Sequence, residues 1–304
     1  MIPLIIDCDP GIDDALALLL AAGSVEFELL AVTTVAGNRP VETTTANARR
    51  ILDLAGREDV PVHAGCARPL GAAAPRCNLV HGEDGLCGAR LPPTRAAAPG
   101  HAADLITATL MQSPPNTVTL VAVGPLTNLA LAEIKTPGVL RRARSLVIMG
   151  GAAFCPGNIT PAAEFNFHAD PLAAHTVLAA GADVKLFGLD VTSKAAMSAE
   201  WIESLGALRT RCGTAAAAML TAYAQADPLL HDACPVAWLL DPTLFAGQQC
   251  SVSVDWRAGP TEGQTLAWQE ERMDKPFPPN ARVFVDLRTD RVLELVRQRI
   301  ARLP

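Results

Sequence analysis

The chain has 304 residues, of which 50% are hydrophobic and 18% are charged, a composition that favours a large buried core and excludes a disordered chain. The formal net charge of -6 argues against a surface for nucleic acid or an anionic membrane. No apolar run reaches the roughly 20 residues that span a bilayer, and the 8 cysteines are scattered without a C-x-x-C pair. We therefore expect a single domain, residues 1–304, in the cytoplasm, with free thiols and no signal peptide.

The first predicted strand and helix flank a dense group of acids. Residues 2–6 form an unalternating apolar run, typical of a buried strand. Residues 13–22 predict a helix whose first turn is acidic. The carboxylates of this segment are Asp7, Asp9, Asp13 and Asp14. Because like charges repel unless a proton or cation lies among them, the segment predicts a site for a hard cation, calcium or magnesium.

Strands and helices alternate along the chain as far as residue 187. Further strands are predicted at residues 29–35, 60–64, 117–123, 145–149 and 184–187. Further helices are predicted at 40–56, 101–112 and 171–180, and another follows the turn at Gly124–Asn128 and ends near residue 135. The pattern predicts an α/β fold with an open, mostly parallel, doubly wound (Rossmann-like) sheet flanked by helices. The rest of the chain predicts two helices in 198–224, a helix at 235–240, a small C-terminal β addition (250–255, 265–268 and 282–287) and a closing helix at 289–302.

Two long segments, residues 65–100 and 152–169, are irregular and are expected to form binding loops. Ligands of parallel sheets bind beyond the carboxyl ends of the strands. Polar residues follow several of the predicted strands, including Asp9 and Asn38. These residues are therefore expected to meet in one crevice.

Two further groups suit a sugar ligand. Asn158, Glu164 and Asn166 combine one acid with two amides, which together accept and donate hydrogen bonds. Glu164 and Asn166 would share one side of an extended chain. His231 and Asp232 precede an apolar helix and could supply a proton donor and a metal ligand. Viewed alone, the first group could equally be an ordinary polar loop, and His231 could equally be a structural histidine.

An aspartate-nucleophile phosphatase of the haloacid-dehalogenase type is an alternative interpretation. In that class Asp7 would attack phosphorus and Asp9 would act as acid and base. The mechanism also needs a later lysine and a further acidic pair. Lys194 and Asp190 are available, but no Asp-Asp pair follows residue 14.

The order of these motifs resembles that of the inosine–uridine-preferring nucleoside hydrolases, also called ribonucleoside hydrolases. The likeness begins at Asp7–Ala15 and continues through Ala36–Asn38, His81–Gly82, Gly124–Asn128, Met149–Gly151, Ala163–Asn166, Asp170–Pro171 and His231–Asp232. The resemblance implies calcium-dependent hydrolysis of the N-glycosidic bond of ribonucleosides, purine or pyrimidine, to free base and ribose. It also implies a homodimer or homotetramer. A nucleoside-binding protein without turnover remains a further alternative.

The resemblance also implies roles for individual residues. One calcium ion per subunit would be bound by Asp9, Asp14, the Val123 carbonyl and Asp232. Asp9 would activate a calcium-bound water as general base, and His231 would protonate the leaving base. Residues 225–230 are expected to lie over the nucleobase. The substrate would be bound by Asp13, Asn38, His81, Met149, Asn158, Glu164, Asn166 and Asp232.

Overall fold

The computed structural model describes residues 1–72, 74–89, 91–93, 95–269 and 278–304. The strands are β1 (Ile2–Cys8), β2 (Phe27–Thr34), β3 (Val62–Ala64), β4 (Thr119–Ala122), β5 (Ser145–Met149), β6 (Val184–Phe187), β7 (Phe245–Val254), β8 (Thr265–Gln269) and β9 (Ala281–Leu287). The α-helices are α1 (Ile12–Ala22), α2 (Val41–Leu54), α3 (Ala102–Gln112), α4 (Thr127–Lys135), α5 (Phe165–Ala169), α6 (Pro171–Ala179), α7 (Leu189–Thr192), α8 (Ala199–Gly206), α9 (Arg211–Tyr223), α10 (Ala233–Leu240) and α11 (Thr289–Ile300). Two 3-10 helices lie at Leu140–Arg142 and Pro242–Leu244.

The described strands form a 9-stranded sheet in the order β3-β2-β1-β4-β5-β6-β9-β7-β8. All pairs from β3 to β9 are parallel, whereas β7 runs antiparallel to both β9 and β8. The predicted open, mostly parallel α/β sheet with a C-terminal β addition is confirmed. The added strands extend the main sheet because β9 pairs directly with β6.

Helices cover both faces of this sheet. On one face α1 packs against α9, α10 and α11, and its residues from Ile12 to Ala21 are all buried. The acidic first turn of α1 is therefore enclosed by protein, although its carboxylates would prefer water. On the other face the buried side chains of α3, α4 and α6 form a second core cluster, with Ile106, Leu129 and Val177 among its members.

Two short helices lie where the sequence predicted none. α5 occupies the end of the segment expected to be irregular, because the Glu164 carboxylate accepts hydrogen bonds from the N–H groups of Asn166 and Phe167 and caps its first turn. The predicted extended arrangement of Glu164 and Asn166 is therefore wrong. α7 follows Gly188 directly. Helices this short contain too few turns to produce a hydrophobic period in sequence.

Other predictions agree with the structure. All 8 cysteines, which lie in the described part of the chain, are free thiols. The described part of residues 65–100 forms only an isolated bridge, between Ala98 and His63. None of the helices in the described ranges is both long enough and apolar enough to cross a membrane.

Candidate active site

A cavity of about 480 Å³ lies at the carboxyl edge of the sheet. β1 and β4 are neighbours there although they are not consecutive in the chain, and ligands of open α/β sheets bind where the strand order reverses in this way. The volume is typical of small-molecule sites. The structure places many of the predicted site residues in its lining: Asp13, Asn38, His81, Val123, Met149, Asn158, Glu164, Asn166, His231 and Asp232.

Asp9 and Asp14 are buried beside the cavity, where the turn after β1 meets the first turn of α1. The Asp14 carboxylate accepts hydrogen bonds from the N–H groups of Asp9, at 3.1 Å, and Gly11, at 3.0 Å. Asn38 donates to both acids, from its N–H to Asp9 Oδ2 at 2.6 Å and from Nδ2 to Asp14 Oδ2 at 3.2 Å. These contacts fix the two carboxylates relative to each other.

Two glycines allow the backbone to approach Asp9 closely. A Cβ atom at Gly37 would lie 2.1 Å from Asp9 Oδ2, and one at Gly124 would lie 2.4 Å from Asp9 Oδ1. Both separations are far below van der Waals contact. Any larger residue at either position would therefore displace the Asp9 carboxylate.

The acidic residues at the cavity fit a divalent cation. Carboxylate oxygens of Asp13, Asp14 and Asp232 lie within 4.8 Å of one another. Asp9 Oδ1 is buried and has no hydrogen-bond partner in the described part of the chain, which is costly unless a cation or water satisfies it. Donor sets made of oxygen alone suit hard cations. Asp13, which the acidic segment placed at a cation site and the family resemblance assigned to the substrate, is thus a further candidate ligand.

The pKa values of these acids show the cost of placing them together. Burial and the neighbouring Asp13 raise the pKa of Asp14 to about 8. Burial and the charge of Asp14 raise the pKa of Asp9 well above its usual range. Burial and the charge of Asp13 likewise raise the pKa of Asp232 well above its usual range. A bound cation would favour the ionised form of all of these groups.

The segment that carries Glu164 and Asn166 forms the other side of the cavity. Glu164 accepts hydrogen bonds from the N–H groups of Gly151, Asn166 and Phe167 at 2.8, 2.8 and 3.1 Å. Burial raises the pKa of Glu164, and these hydrogen bonds oppose the shift. Asn166 Nδ2 donates to the Val123 carbonyl at 2.8 Å. Glu164 and Asn166 thus hold the ends of β4 and β5 beside the cavity.

Two amides on loops complete the polar lining. Asn158 Oδ1 accepts a hydrogen bond from the Phe165 N–H at 3.0 Å. Asn78 Nδ2 donates to Asn38 Oδ1 at 3.0 Å, and both side chains face the cavity. Sequence analysis did not identify Asn78, because a lone amide in a long irregular segment gives no pattern.

One end of the cavity is aromatic. The rings of His81 and Tyr223 stack with centroids 5.0 Å apart and an interplanar angle of 16°. The Ile12 N–H donates to His81 Nδ1 at 3.1 Å, so the hydrogen of the neutral ring is on Nε2, which lies 3.8 Å from Asp13 Oδ1. Burial lowers the pKa of His81, although Asp13 opposes the shift. The sequence predicted His81 here, but Tyr223 was not predicted as a site residue.

His231 lies at the same cavity with both ring nitrogens engaged. Nδ1 lies 2.8 Å from Thr192 Oγ1, and Nε2 lies 3.2 Å from Asp227 Oδ2. Burial lowers the pKa of His231, but the hydrogen bond and charge of Asp227, with the charges of Asp13 and Glu164, outweigh burial, so the net pKa is raised.

The segment before His231 lines the cavity through Ala226, Asp227, Pro228 and Leu229. Most of the segment 225–230, which was expected to lie over the nucleobase, therefore lines the cavity. Sequence analysis assigned no role to Asp227. The available signal was an acid four residues before a histidine.

The phosphatase alternative finds no support in this arrangement. Neither Asp7 nor Lys194 lines the cavity. Lys194 donates instead to the Val285 carbonyl and to Asp286 at the protein surface. The nucleophile and the lysine of that mechanism therefore do not meet at a common site.

The cavity of about 480 Å³ is lined by carboxylates, amides and imidazoles, a set of groups that suits a small polar ligand with hydroxyl groups. The chain matches the sequence model of the family described as "Inosine-uridine preferring nucleoside hydrolase" over residues 4–294. It therefore belongs to that family, as the motifs predicted. The family supports hydrolysis of the N-glycosidic bond of nucleosides, and the chain is a nucleoside hydrolase.

Relatives and solved structures agree with this assignment. The chain is 40% identical over 309 residues to the pyrimidine-specific ribonucleoside hydrolase RihA of Photobacterium profundum, with 98% of each chain covered. The solved structure of the plant nucleoside hydrolase PpNRh1 is similar, with a TM-score of 0.91, 33% identity and 98% of each chain covered. The purine-preferring ribonucleoside hydrolase from Gardnerella vaginalis gives a TM-score of 0.91 and 32% identity, also with 98% of each chain covered.

Proposed function

We propose that this enzyme hydrolyses the N-glycosidic bond of ribonucleosides, to free base and ribose, in a calcium-dependent reaction. The observation that carries the proposal is the group of carboxylates from Asp13, Asp14 and Asp232, of which Asp13 and Asp232 line the cavity of about 480 Å³. A site for pure binding of a nucleoside would have no need for so many buried acids, because each one costs free energy of desolvation.

The calcium ion would be held by Asp9, Asp14, Asp232 and the carbonyl of Val123, with Asp13 within reach. Carboxylate and carbonyl oxygens are the ligands that calcium prefers. When bound, the ion supplies positive charge that orients hydroxyl groups and acidifies a nearby water. Val123 O accepts one hydrogen bond, from Asn166, and a carbonyl oxygen has a second lone pair for a cation.

Asp9 is the general base of the proposed reaction. Its Oδ1 has no hydrogen-bond partner among the described residues and would accept a proton from the attacking water. The water oxygen forms a bond to the anomeric carbon of the ribose, and the bond from that carbon to the base nitrogen breaks. His231 gives a proton to the departing base. Overall one water is consumed, and ribose and the free base are released.

The ribose is held while the positive charge on its ring develops. We assign its hydroxyl groups to the polar side chains of the cavity, and nearby carboxylates such as Glu164 would stabilise the positively charged ring. Fixed positions of sugar and water lower the entropic part of the barrier. The proposed ribose-binding residues are Asp13, Asn38, Asn158, Glu164, Asn166 and Asp232, with His81 and Met149 as further substrate contacts.

Product analysis tests the proposal. The chain would be incubated with uridine, cytidine, inosine, adenosine and a generic phosphomonoester in the presence of calcium, and free ribose and phosphate would be measured. Both purine and pyrimidine nucleosides are needed, because the names of its relatives include both preferences. Ribose release supports the proposal. Tight nucleoside binding without ribose release would instead indicate a binding protein, and phosphate release a phosphatase.

We also propose that residues 1–304 form a single domain that works in the cytoplasm as a homodimer or homotetramer. Pairing of strands from both ends of the chain into the same sheet supports the single domain. Unfolding in a single cooperative transition would test the domain, and light scattering after gel filtration would test the oligomer.

A further inference from the structure

The imidazole of His231 is held from two opposite directions by side chains that the proposed reaction does not use. Thr192 Oγ1 lies 2.8 Å from Nδ1, and Asp227 Oδ2 lies 3.2 Å from Nε2. Thr192 is fully buried and His231 nearly so, whereas Asp227 is partly exposed and lines the cavity. The first contact therefore lies within the protein and the second at the surface of the cavity.

The chemistry of the two partners fixes which nitrogen carries hydrogen. An ionised carboxylate only accepts hydrogen bonds, so the Nε2 atom that faces Asp227 must carry a hydrogen. A threonine hydroxyl can either donate or accept. Thr192 can therefore donate to Nδ1 of a neutral ring and accept from Nδ1 of a charged ring. The charged ring donates from Nδ1 to Thr192 and from Nε2 to Asp227. When Nε2 gives its hydrogen to the base, Nδ1 keeps its own hydrogen and Thr192 remains the acceptor.

Thr192 is itself held by contacts of α7. The N–H of Leu189 donates to the Gly151 carbonyl at 2.9 Å. The Asp190 carboxylate accepts from the N–H groups of Ala153 and Phe154 at 2.9 and 2.6 Å. These bonds join α7 to the segment that follows β5. The hydroxyl that contacts His231 therefore belongs to a helix that is hydrogen-bonded to the segment after β5.

We propose that Thr192 is a positioning residue that, together with Asp227, holds the hydrogen-bearing Nε2 of His231 toward the cavity. In the free enzyme Asp227 accepts the hydrogen bond from Nε2. During turnover the departing base becomes the acceptor of that hydrogen. This inference rests on the proposed function, because it assigns to Thr192 and Asp227 the support of a proton transfer from His231.

Substrates with different leaving groups distinguish a role of Thr192 in proton transfer from a role in folding alone. The bases of inosine and uridine are poor leaving groups, and their departure benefits from a proton. The p-nitrophenolate of p-nitrophenyl riboside departs without one. Loss of the Thr192 hydroxyl should therefore slow hydrolysis of the nucleosides and leave hydrolysis of the activated riboside nearly unchanged.

The experiment compares three variants with the parent enzyme. Thr192→Val keeps the shape of the side chain without its hydroxyl, and Thr192→Ser restores a hydroxyl. Ser193→Ala is the matched control, because the Ser193 hydroxyl donates to the Leu189 carbonyl within the same helix and does not contact His231. For inosine and uridine we expect kcat of Thr192→Val to fall about 10- to 100-fold, with KM within about threefold of the parent.

With p-nitrophenyl riboside, kcat of Thr192→Val should stay within about threefold of the parent, and Thr192→Ser should regain most of the nucleoside activity. Equal losses on the nucleosides and the activated riboside would overturn the proposal. So would a Thr192→Ser variant that is as slow as Thr192→Val. If Thr192→Val fails to fold, Asp227→Ala provides the same comparison of substrates, because Asp227 is partly exposed.

An NMR measurement separates this inference from the proposed function. Long-range proton–nitrogen spectra of the ring of His231 should show a hydrogen-bonded Nδ1 in the parent and in Thr192→Ser, and an Nδ1 resonance shifted by loss of that hydrogen bond in Thr192→Val. An unchanged spectrum in Thr192→Val would overturn the positioning role whatever the activity. Absence of ribose release by the parent would overturn the proposed function alone.

Discussion

Asn128 Nδ2 donates a hydrogen bond to Asp7 Oδ1 at 2.8 Å, and this contact joins the start of α4 to the end of β1. The same amide nitrogen donates to the Thr34 carbonyl at 2.9 Å, and Asn128 Oδ1 accepts from the Cys66 N–H at 2.8 Å. Thr33 Oγ1 also donates to Asp7. Asp7 thus binds elements that carry the site, although it does not line the cavity.

Replacing Asn128 by alanine should destabilise the fold. The change removes three hydrogen bonds and leaves buried partners without a donor or acceptor, which costs about 3 kcal/mol or more in the free energy of unfolding. Thermal unfolding should show a Tm lowered by at least about 5 °C. Gln298→Ala on the exposed side of α11 is the control and should change Tm little. An unchanged Tm in Asn128→Ala would contradict this role of the amide.

Asp9→Asn tests the general base while preserving its shape. The Oδ of asparagine can still accept from the Asn38 N–H, so the turn after β1 should fold. We expect kcat to fall by about 1000-fold or more, because the variant lacks a base for the water. Asp9→Ala should lose turnover similarly. Circular dichroism and steady-state kinetics on uridine and inosine would check both effects, and a kcat within about tenfold of the parent would exclude this role.

Gly124→Ala should impair the same carboxylate without altering any polar group. Its Cβ would lie 2.4 Å from Asp9 Oδ1, so Asp9 must move and kcat should fall about tenfold or more. Gly206→Ala is the matched control, because its Cβ would meet the Ala217 Cβ at an ordinary 3.4 Å. If both variants keep full activity, the position of Asp9 is less critical than proposed.

The sequence predicts the strands of the sheet well because the signals for strands and turns lie in neighbouring residues. The apolar run before Asp7 and the acidic turn after it predict β1 and the start of α1, and glycine and proline mark the turns. Contacts between distant residues are not local. The pair formed by His231 and Thr192 joins residues that are 39 positions apart. Neither residue type nor spacing shows which threonine lies beside the imidazole.

The same limit applies to the cation site. The sequence predicts a cluster of acids, but the conformation of the turn after β1 decides which oxygens converge. In the structure carboxylate oxygens of Asp13, Asp14 and Asp232 lie within 4.8 Å of one another, although the family resemblance assigned Asp13 to the substrate. The two roles are compatible, because a carboxylate has two oxygens and about four lone-pair positions.

Calcium should stabilise the folded chain. A cation that binds only the folded state at about 100 times its Kd adds about 2.7 kcal/mol to the free energy of unfolding. Removal of metal with a chelator should lower Tm, and calcium should restore it more effectively than magnesium. Asp232→Asn should weaken this response, whereas Asp286→Asn, at an exposed position, should leave it intact. A Tm that does not depend on calcium would contradict a structural calcium site.

His231→Ala tests the proton donor of the proposed reaction. Without the imidazole, departure of the base from inosine and uridine loses its acid, and kcat should fall about 100- to 10,000-fold. Hydrolysis of p-nitrophenyl riboside should be affected far less, because its leaving group needs no proton. His175→Ala is the control, since that histidine is near Trp256 and does not line the cavity. Equal losses on natural and activated substrates would show that His231 supports packing alone. A loss confined to either inosine or uridine would show that the base of the other nucleoside receives its proton from a different group.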